Sequence, residues 1–424
     1  MVSEYHHRIV DAELDELRDL PAISLEGPKA VGKTETAARR ATTTFDLDKP
    51  ESLAIVEADP NRLVDSGEHP VFIDEWQRYP PSWDLVRRRV DADSSVRFLL
   101  AGSAAPVEVP LHSGAGRIVT VRMRPMSLAE RGLADPTVQL SNLLDDNECA
   151  LGGRTELGLT EYTDEILRSG FPAIRRSNGR ALRAQLNGYI DRVVERDFEE
   201  VGVRVRNTAA LRRWMTAYAA ATSTTTSYEK IRDAASAGEE TKQSKTTTGP
   251  YRTALERLHL MEPLPAWAPS RNHLRNLAKA PAHHLADPAL AARLLGVNSD
   301  ALLDGRSLGP AIARDGTLLG ALFESLVVQS VRVYAQANEA EVFHLRTRGG
   351  EREVDIIIRR PDGRVVALEV KLSTTPKDSD FRHLRWLKKS LGDDLLDAIV
   401  ITTGTEAYRR TDGFGVVPAG LLTA

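Results

Sequence analysis

Gly27 Pro28 Lys29 Ala30 Val31 Gly32 Lys33 Thr34 is the stretch on which the fold turns, and it fits G-x-x-x-x-G-K-[ST]. The glycines let successive backbone N–H groups point inward at phosphate oxygens. Lys33 brings positive charge to the β- and γ-phosphates, and the Thr34 hydroxyl can ligate Mg²⁺. The flanks suit this reading. Ala22 Ile23 Ser24 Leu25 follows Pro21 as a short apolar run, readable as a buried strand, while Lys33 to Arg40 is rich in helix formers. The loop therefore joins a strand to the start of a helix, the setting in which such a sequence cradles phosphate.

Outward from the loop, the next acidic landmark is Pro70 Val71 Phe72 Ile73 Asp74 Glu75, an apolar run ending in two carboxylates. That pattern places both acids at the C-terminal end of a buried parallel strand, the edge where ligands bind in such sheets. Asp74 suits a magnesium role through water, and Glu75 suits polarisation of an attacking water. Thr42 to Leu47 reads as another strand, and Trp76 to Val90 as a helix with Arg87, Arg88 and Arg89 on a solvated face. Val96 to Leu100 reads as a strand leading into Ala101 Gly102 Ser103, where the Ser103 hydroxyl is either a γ-phosphate sensor or a helix cap. Gly116 to Val121 is the expected fifth strand, followed by the basic Arg122 Met123 Arg124 Pro125.

Composition sets the bounds on everything else. At 424 residues the chain is long enough for two to four domains. Hydrophobic residues make up 42% and charged residues 27%, the balance of a soluble globular protein. The formal net charge of −4 gives no global positive field, so any nucleic-acid contact must be local. The single cysteine, Cys149, cannot form an internal disulfide, and no Cys/His spacing suggests zinc. Met1 to Arg8 is polar, no run approaches the length of a membrane span, and the expected location is the cytoplasm with no membrane partner.

Taken together, the phosphate loop, Ile73 Asp74 Glu75, Ala101 Gly102 Ser103 and the run Gly116 Arg117 through Arg124 Pro125 Met126 Ser127 Leu128 Ala129 Glu130 resemble the AAA+-type ATPases of prokaryotes with a C-terminal DUF4143 region. The resemblance continues in Ser169 Gly170 Phe171 Pro172, Tyr189 Ile190 Asp191, Arg196 Asp197 and Lys279 through Asp287, and so covers nearly the whole chain. It implies a five-stranded parallel sheet with the phosphate-loop strand near its centre, then a helical lid. It also implies Arg117 as a nucleotide-contacting arginine, acting in its own site, in a neighbour's site within a homo-oligomer, or only as a salt-bridge partner. Two departures are Lys29, where arginine is commoner, and Ala104, where a second serine is frequent.

On this basis the expected architecture is α/β and multidomain: a P-loop ATPase domain over 1–137, a helical lid over 138–205, a winged-helix-like segment over 206–305 and a restriction-endonuclease-like α/β domain over 306–424. In the third segment, Leu211, Trp214, Met215 and Tyr218 recur at helical spacing as core. A second helix starting near Ser244 carries Tyr251 and Arg252, which could meet a nucleic-acid backbone or simply pack inside.

The C-terminal stretch contains a second constellation. Glu353 Val354 Asp355 Ile356 Ile357 Ile358 and Val365 Val366 Ala367 Leu368 Glu369 Val370 Lys371 read as adjacent strands. Asp355 followed by Glu369-x-Lys371 resembles the arrangement of PD-(D/E)xK metal nucleases: two carboxylates to hold Mg²⁺ and a lysine on the same face to orient water. This requires a three-residue Pro361 Asp362 Gly363 loop or a bulge, because a two-residue hairpin would turn Asp355 away from Glu369. Glu324, on the preceding helix, is a third candidate carboxylate. The functional expectation is ATP and Mg²⁺ bound by residues 27–34 and Asp74, hydrolysis through Glu75 and Lys33, and a C-terminal domain that cuts or binds DNA. The alternative is an ATP-governed switch whose C-terminal domain only binds a partner.

Overall fold

The computed structural model describes residues 5–103, 114–145, 149–237, 245–267, 280–305, 316–347 and 350–424. Ser244 and Lys279 lie outside the described residues. The N-terminal region is built on a five-stranded parallel sheet in the order β2 (Thr43–Asp46), β3 (Val71–Asp74), β4 (Phe98–Gly102), β1 (Ala22–Glu26), β5 (Val119–Arg122). Buried on both faces, the central strands are near-continuous apolar runs, as parallel strands must be. Alternate side chains divide the core. Ile73 and Leu100 pack towards Trp76 and Trp83, whereas Leu25, Phe72 and Ala101 join the larger core shared with the rest of the molecule.

Register fixes where function can lie. Glu26 stands opposite both Gly102 and Arg122, and Asp74 stands opposite Ala101. The loop after β1, the acids ending β3, Ser103 after β4 and Met123 after β5 therefore share one edge. Arg117 does not. It precedes β5, whose Val119 pairs with Ile23 near the start of β1, so it belongs to the opposite edge of the sheet. Two local expectations also change. A single helix over Trp76 to Val90 gives way to a 3-10 turn, Trp76–Arg78, and a helix, Pro81–Ala92. Pro80 and Pro81 cannot sit inside a continuous helix but suit its first turn. The fifth strand starts later than expected because Gly114 to Ile118 closes a turn.

Helices Leu159–Arg168, Gly179–Arg192, Thr208–Ala220, Tyr228–Ala235, Lys245–Arg257 and Pro288–Leu295 make up the described helices of eight residues or more in the middle of the chain. Tyr251 is buried among Phe198 and Trp214 rather than offered outward. Arg252 lies over the Tyr228 ring. Among the described residues, Lys245–Arg257 is followed by single bridges, Met261 with Leu285 and Leu264 with Ala282, rather than by a two-stranded wing. A short strand, β6 (Val138–Gln139), pairs with the chain's last strand, as described below.

The C-terminal region is a seven-stranded mixed sheet: β7 (Ala266–Trp267), β8 (Glu341–Arg346), β9 (Glu353–Arg359), β10 (Val365–Val370), β11 (Leu395–Thr402), β12 (Tyr408–Arg409) and β13 (Gly415–Pro418), in the spatial order 12-13-11-10-9-8-7. The last strand, β14 (Leu422–Thr423), returns to β6. Helix Leu318–Ala337 packs on one face of this sheet with Ile356, Ile358, Val366 and Leu368, and helix Arg382–Leu391 covers the other with Ile357 and Ala367. The first of these helices is long and apolar enough to cross a membrane, but 83% of its most apolar window is buried inside the molecule. It is apolar all round because it is surrounded by protein.

Candidate functional site

Gly27 and Gly32 are required by geometry. A Cβ on Gly27 would meet the Met123 carbonyl oxygen at 2.1 Å, and Gly32 holds a left-handed φ of 106°. Ala30 is also left-handed, with φ 66°. The loop thereby curls around Lys33, whose Nζ donates to the Gly27 and Pro28 carbonyls at 2.8 and 2.9 Å. Burial pulls the Lys33 ammonium pKa down to about 8, opposed by the charges of Glu75 and Asp74. A buried cation held only by carbonyls is poised to accept anionic oxygens in their place.

Both acids ending β3 lie close enough to Lys33 for their charges to act on it, and Glu75 lines the space in front of the loop. Burial raises Asp74 to about 6, opposed by a hydrogen bond from the Thr34 side chain. Thr34 and Asp74, predicted together as magnesium ligands, are therefore in direct contact. Glu75 adopts a left-handed conformation, φ 50°, that turns it out of the strand direction. Its Oε2 accepts from Ser103 Oγ at 3.3 Å and from Gln77 Nε2. Ser103 is thus joined to the candidate base. Glu75, Lys29, Ala30, Gly32, Lys33 and Thr34 line one cavity of about 400 Å³, within the range of small-molecule sites.

Arg117 is not part of this cavity. Its Nε lies 2.8 Å from Asp91 Oδ1, an exposed ion pair at the far edge of the sheet. Of the roles left open for it, the structure displays the salt bridge. Residues to which sequence reasoning assigned no site role supply other walls: Tyr5, Arg8, Ala173 and Arg176, with Met123 and Pro172 from the motifs that carry the resemblance. Buried Arg8 donates to the Val31 carbonyl at 3.0 Å, to Arg124 O at 2.7 Å and to Glu130 Oε1 at 3.0 Å. It props the loop from behind. The segment Met1 to Arg8 offers no spacing from which this could be read.

The C-terminal constellation also assembles. Arg360 pairs with Arg364 around Pro361, Asp362 and Gly363, a three-residue loop with Gly363 at φ 93°. The β9–β10 register runs Val365 to Arg359 through Leu368 to Ile356, which continues to Glu369 opposite Asp355, as expected. Asp355 Oδ2 accepts from the Val370 N–H at 2.7 Å, and Lys371 Nζ lies 2.7 Å from Glu369 Oε1. Burial and mutual repulsion push Glu369 up to about 8, burial raises Asp355, and the same two causes raise Glu324. The Glu369 Oε2 atom is buried with no hydrogen-bond partner. A cation would satisfy it, so the donor set suits a divalent metal. Among the described residues, no three His, Cys, Asp or Glu side chains form a ready-made cage, so water would complete any coordination.

A strand–loop–helix phosphate cradle with an acidic β3 end, on a parallel sheet of order 2-3-4-1-5, defines a P-loop nucleotide-binding protein. Residues 19–131 match the AAA domain family AAA_14, residues 159–301 match a domain of unknown function, DUF8612, and residues 319–422 match another, DUF4143. The chain joins an AAA-type P-loop ATPase domain to a C-terminal DUF4143 region. It is 25% identical over 414 residues to the uncharacterized proteins Rv2008c of Mycobacterium tuberculosis and Mb2031c of Mycobacterium bovis, covering 95% of this chain and 81% of each relative. The Walker-type ATPase PABY2304 of Pyrococcus abyssi overlaps 67% of this chain and 94% of its own at a TM-score of 0.38 and 16% identity, too remote to argue from.

Proposed function

We propose that this protein binds ATP with Mg²⁺ in the 27–34 cradle and hydrolyses it. One observation carries the reading: Lys33 and Thr34 from the loop and Glu75 from the end of β3 line a single cavity, with Asp74 hydrogen-bonded to Thr34 beside it. In this reading the loop amides and Lys33 hold the β- and γ-phosphates. Thr34 and Asp74 would hold Mg²⁺, which when bound offsets phosphate charge. Glu75, steadied by Ser103 and Gln77, takes the proton of the attacking water. Arg8 and Arg176 both line the cavity; with Arg8 engaged by Val31, Arg124 and Glu130, Arg176 is the arginine that would meet the phosphates in place of Arg117. Lys33→Ala should abolish uptake of ATP measured by calorimetry; unchanged uptake would end the reading.

The C-terminal domain, in the same proposal, is a PD-(D/E)xK-like site acting on DNA, with Asp355 and Glu369 holding Mg²⁺ or Mn²⁺ and Lys371 orienting water. The buried, unpartnered Glu369 oxygen supports it. A specific observation favours the second reading, a switch without cleavage. Helix Leu318–Ala337 carries Glu324 at one end. At the other, Ser330 and Tyr334 accept hydrogen bonds from Leu128 and Ala129 N–H, and Gln336 donates to Arg122 O. One rigid element thus joins the two sites. Plasmid and linear DNA incubated with wild type and Lys371→Ala, with and without ATP, separate the readings: Lys371-dependent cleavage supports the nuclease, and its absence supports the switch.

A further inference from the structure

The third residue of the phosphate loop is held from outside the loop. Lys29 Nζ lies 2.7 Å from Asp197 Oδ1 and 2.6 Å from Glu200 Oε2. The Lys29 carbonyl accepts from the Tyr189 hydroxyl at 3.3 Å. All three partners come from the lid, 160 to 171 residues downstream. The Tyr189 ring packs at 5.0 Å on Phe171, whose neighbours Pro172 and Ala173 wall the nucleotide cavity.

Both sides of this contact bear the marks of a positioned pair. On the lid side, helix Gly179–Arg192 opens into a π-helical turn, Val193–Asp197, which changes the direction in which its last residue projects. Asp197 is only 3% exposed, and a carboxylate that deep needs a cation. Lys29 supplies one, with Arg192 Nε farther off at 3.6 Å. On the loop side, the residue after Lys29 is the left-handed Ala30. That conformation costs on the order of 1–3 kcal/mol for a residue with a Cβ, so contacts beyond the residue must hold it.

We infer that Asp197 is a positioning residue for the nucleotide site: by clasping Lys29 it keeps the phosphate loop in its amide-inward shape before nucleotide arrives, and ties the lid to that loop. The inference rests on the ATP-binding reading. It acts through the loop backbone, which a diphosphate and a triphosphate both meet, so ADP and ATP should be affected equally.

The test measures binding of fluorescent ATP and ADP analogues with Mg²⁺ to the full chain. Asp197→Asn and Lys29→Met should each raise both Kd values about tenfold, and the double variant should be no worse than either alone. Ala30→Gly, which removes the left-handed penalty, should recover at least half of the loss on a logarithmic scale in either background. If Asp197→Asn fails to fold by circular dichroism, Lys29→Met with and without Ala30→Gly carries the same test. Unchanged affinity, additive losses, or a change confined to ATP would each overturn the inference; the last would mean that Lys29 reads the third phosphate. Wild type that binds neither nucleotide overturns the ATP reading as well, whereas wild-type binding with unaltered variants overturns the Asp197 role alone.

Discussion

Raising the pH from 7 to 9 should weaken ATP binding about tenfold, and the reason lies in Lys33. Buried against the Gly27 and Pro28 carbonyls, its ammonium titrates at about 8 in the free protein instead of near 10.5. At pH 7 about nine molecules in ten carry the charge, and at pH 9 about one in ten. Bound phosphate stabilises the charged form, so the pKa rises on binding and the complex takes up a proton when formed above pH 8. Affinity is therefore full below pH 8 and falls as pH rises through it, by a factor of about ten over these two units, or about 1.4 kcal/mol. Calorimetric titration at constant ionic strength, in buffers of differing ionisation enthalpy, reads both the affinity and the proton uptake. Lys33→Arg keeps its charge throughout and should show a flat profile above pH 8. A flat profile in wild type, or the same slope in Lys33→Arg, would refute the reasoning.

Glu75→Gln should leave ATP affinity within about threefold while lowering turnover at least about a hundredfold, read by phosphate release; normal turnover would remove Glu75 as the base. Gly27→Ala should lose nucleotide binding, because its Cβ would sit 2.1 Å from the Met123 carbonyl oxygen; retained affinity would show that β5 can yield. At the C-terminal site, Mn²⁺ affinity should strengthen as pH rises through about 8, where Glu369 ionises, and Glu369→Gln should lose that dependence; electron paramagnetic resonance of bound Mn²⁺ measures it.

Several parts of this molecule were legible in the order of residues because the information is local. A phosphate cradle needs glycines, a lysine and a hydroxyl within eight consecutive positions, and a buried strand ending in acid needs six. The three-residue loop at Pro361, Asp362 and Gly363 sets the β9–β10 register within one hairpin, so the facing of Asp355 and Glu369 could also be anticipated. In each case a period or a turn, acting over a few residues, settles which side chains share a face.

What tertiary structure alone decided is the company these local features keep. Arg117 is a plausible phosphate contact until strand register assigns it to the opposite edge of the sheet. Tyr251 looks available for a partner until Phe198 and Trp214, brought by other helices, bury it. Arg8 and Asp197 sit 23 and 168 residues from the loop residues they hold, and nothing in either segment names the loop as its partner. The sequence by itself determined the phosphate loop, the acidic strand end and the hairpin that aligns two carboxylates, because neighbours along the chain dictate them. Which distant side chains complete those sites depends on how whole sheets and helices pack, and a charged residue carries no mark of the partner that burial will later require.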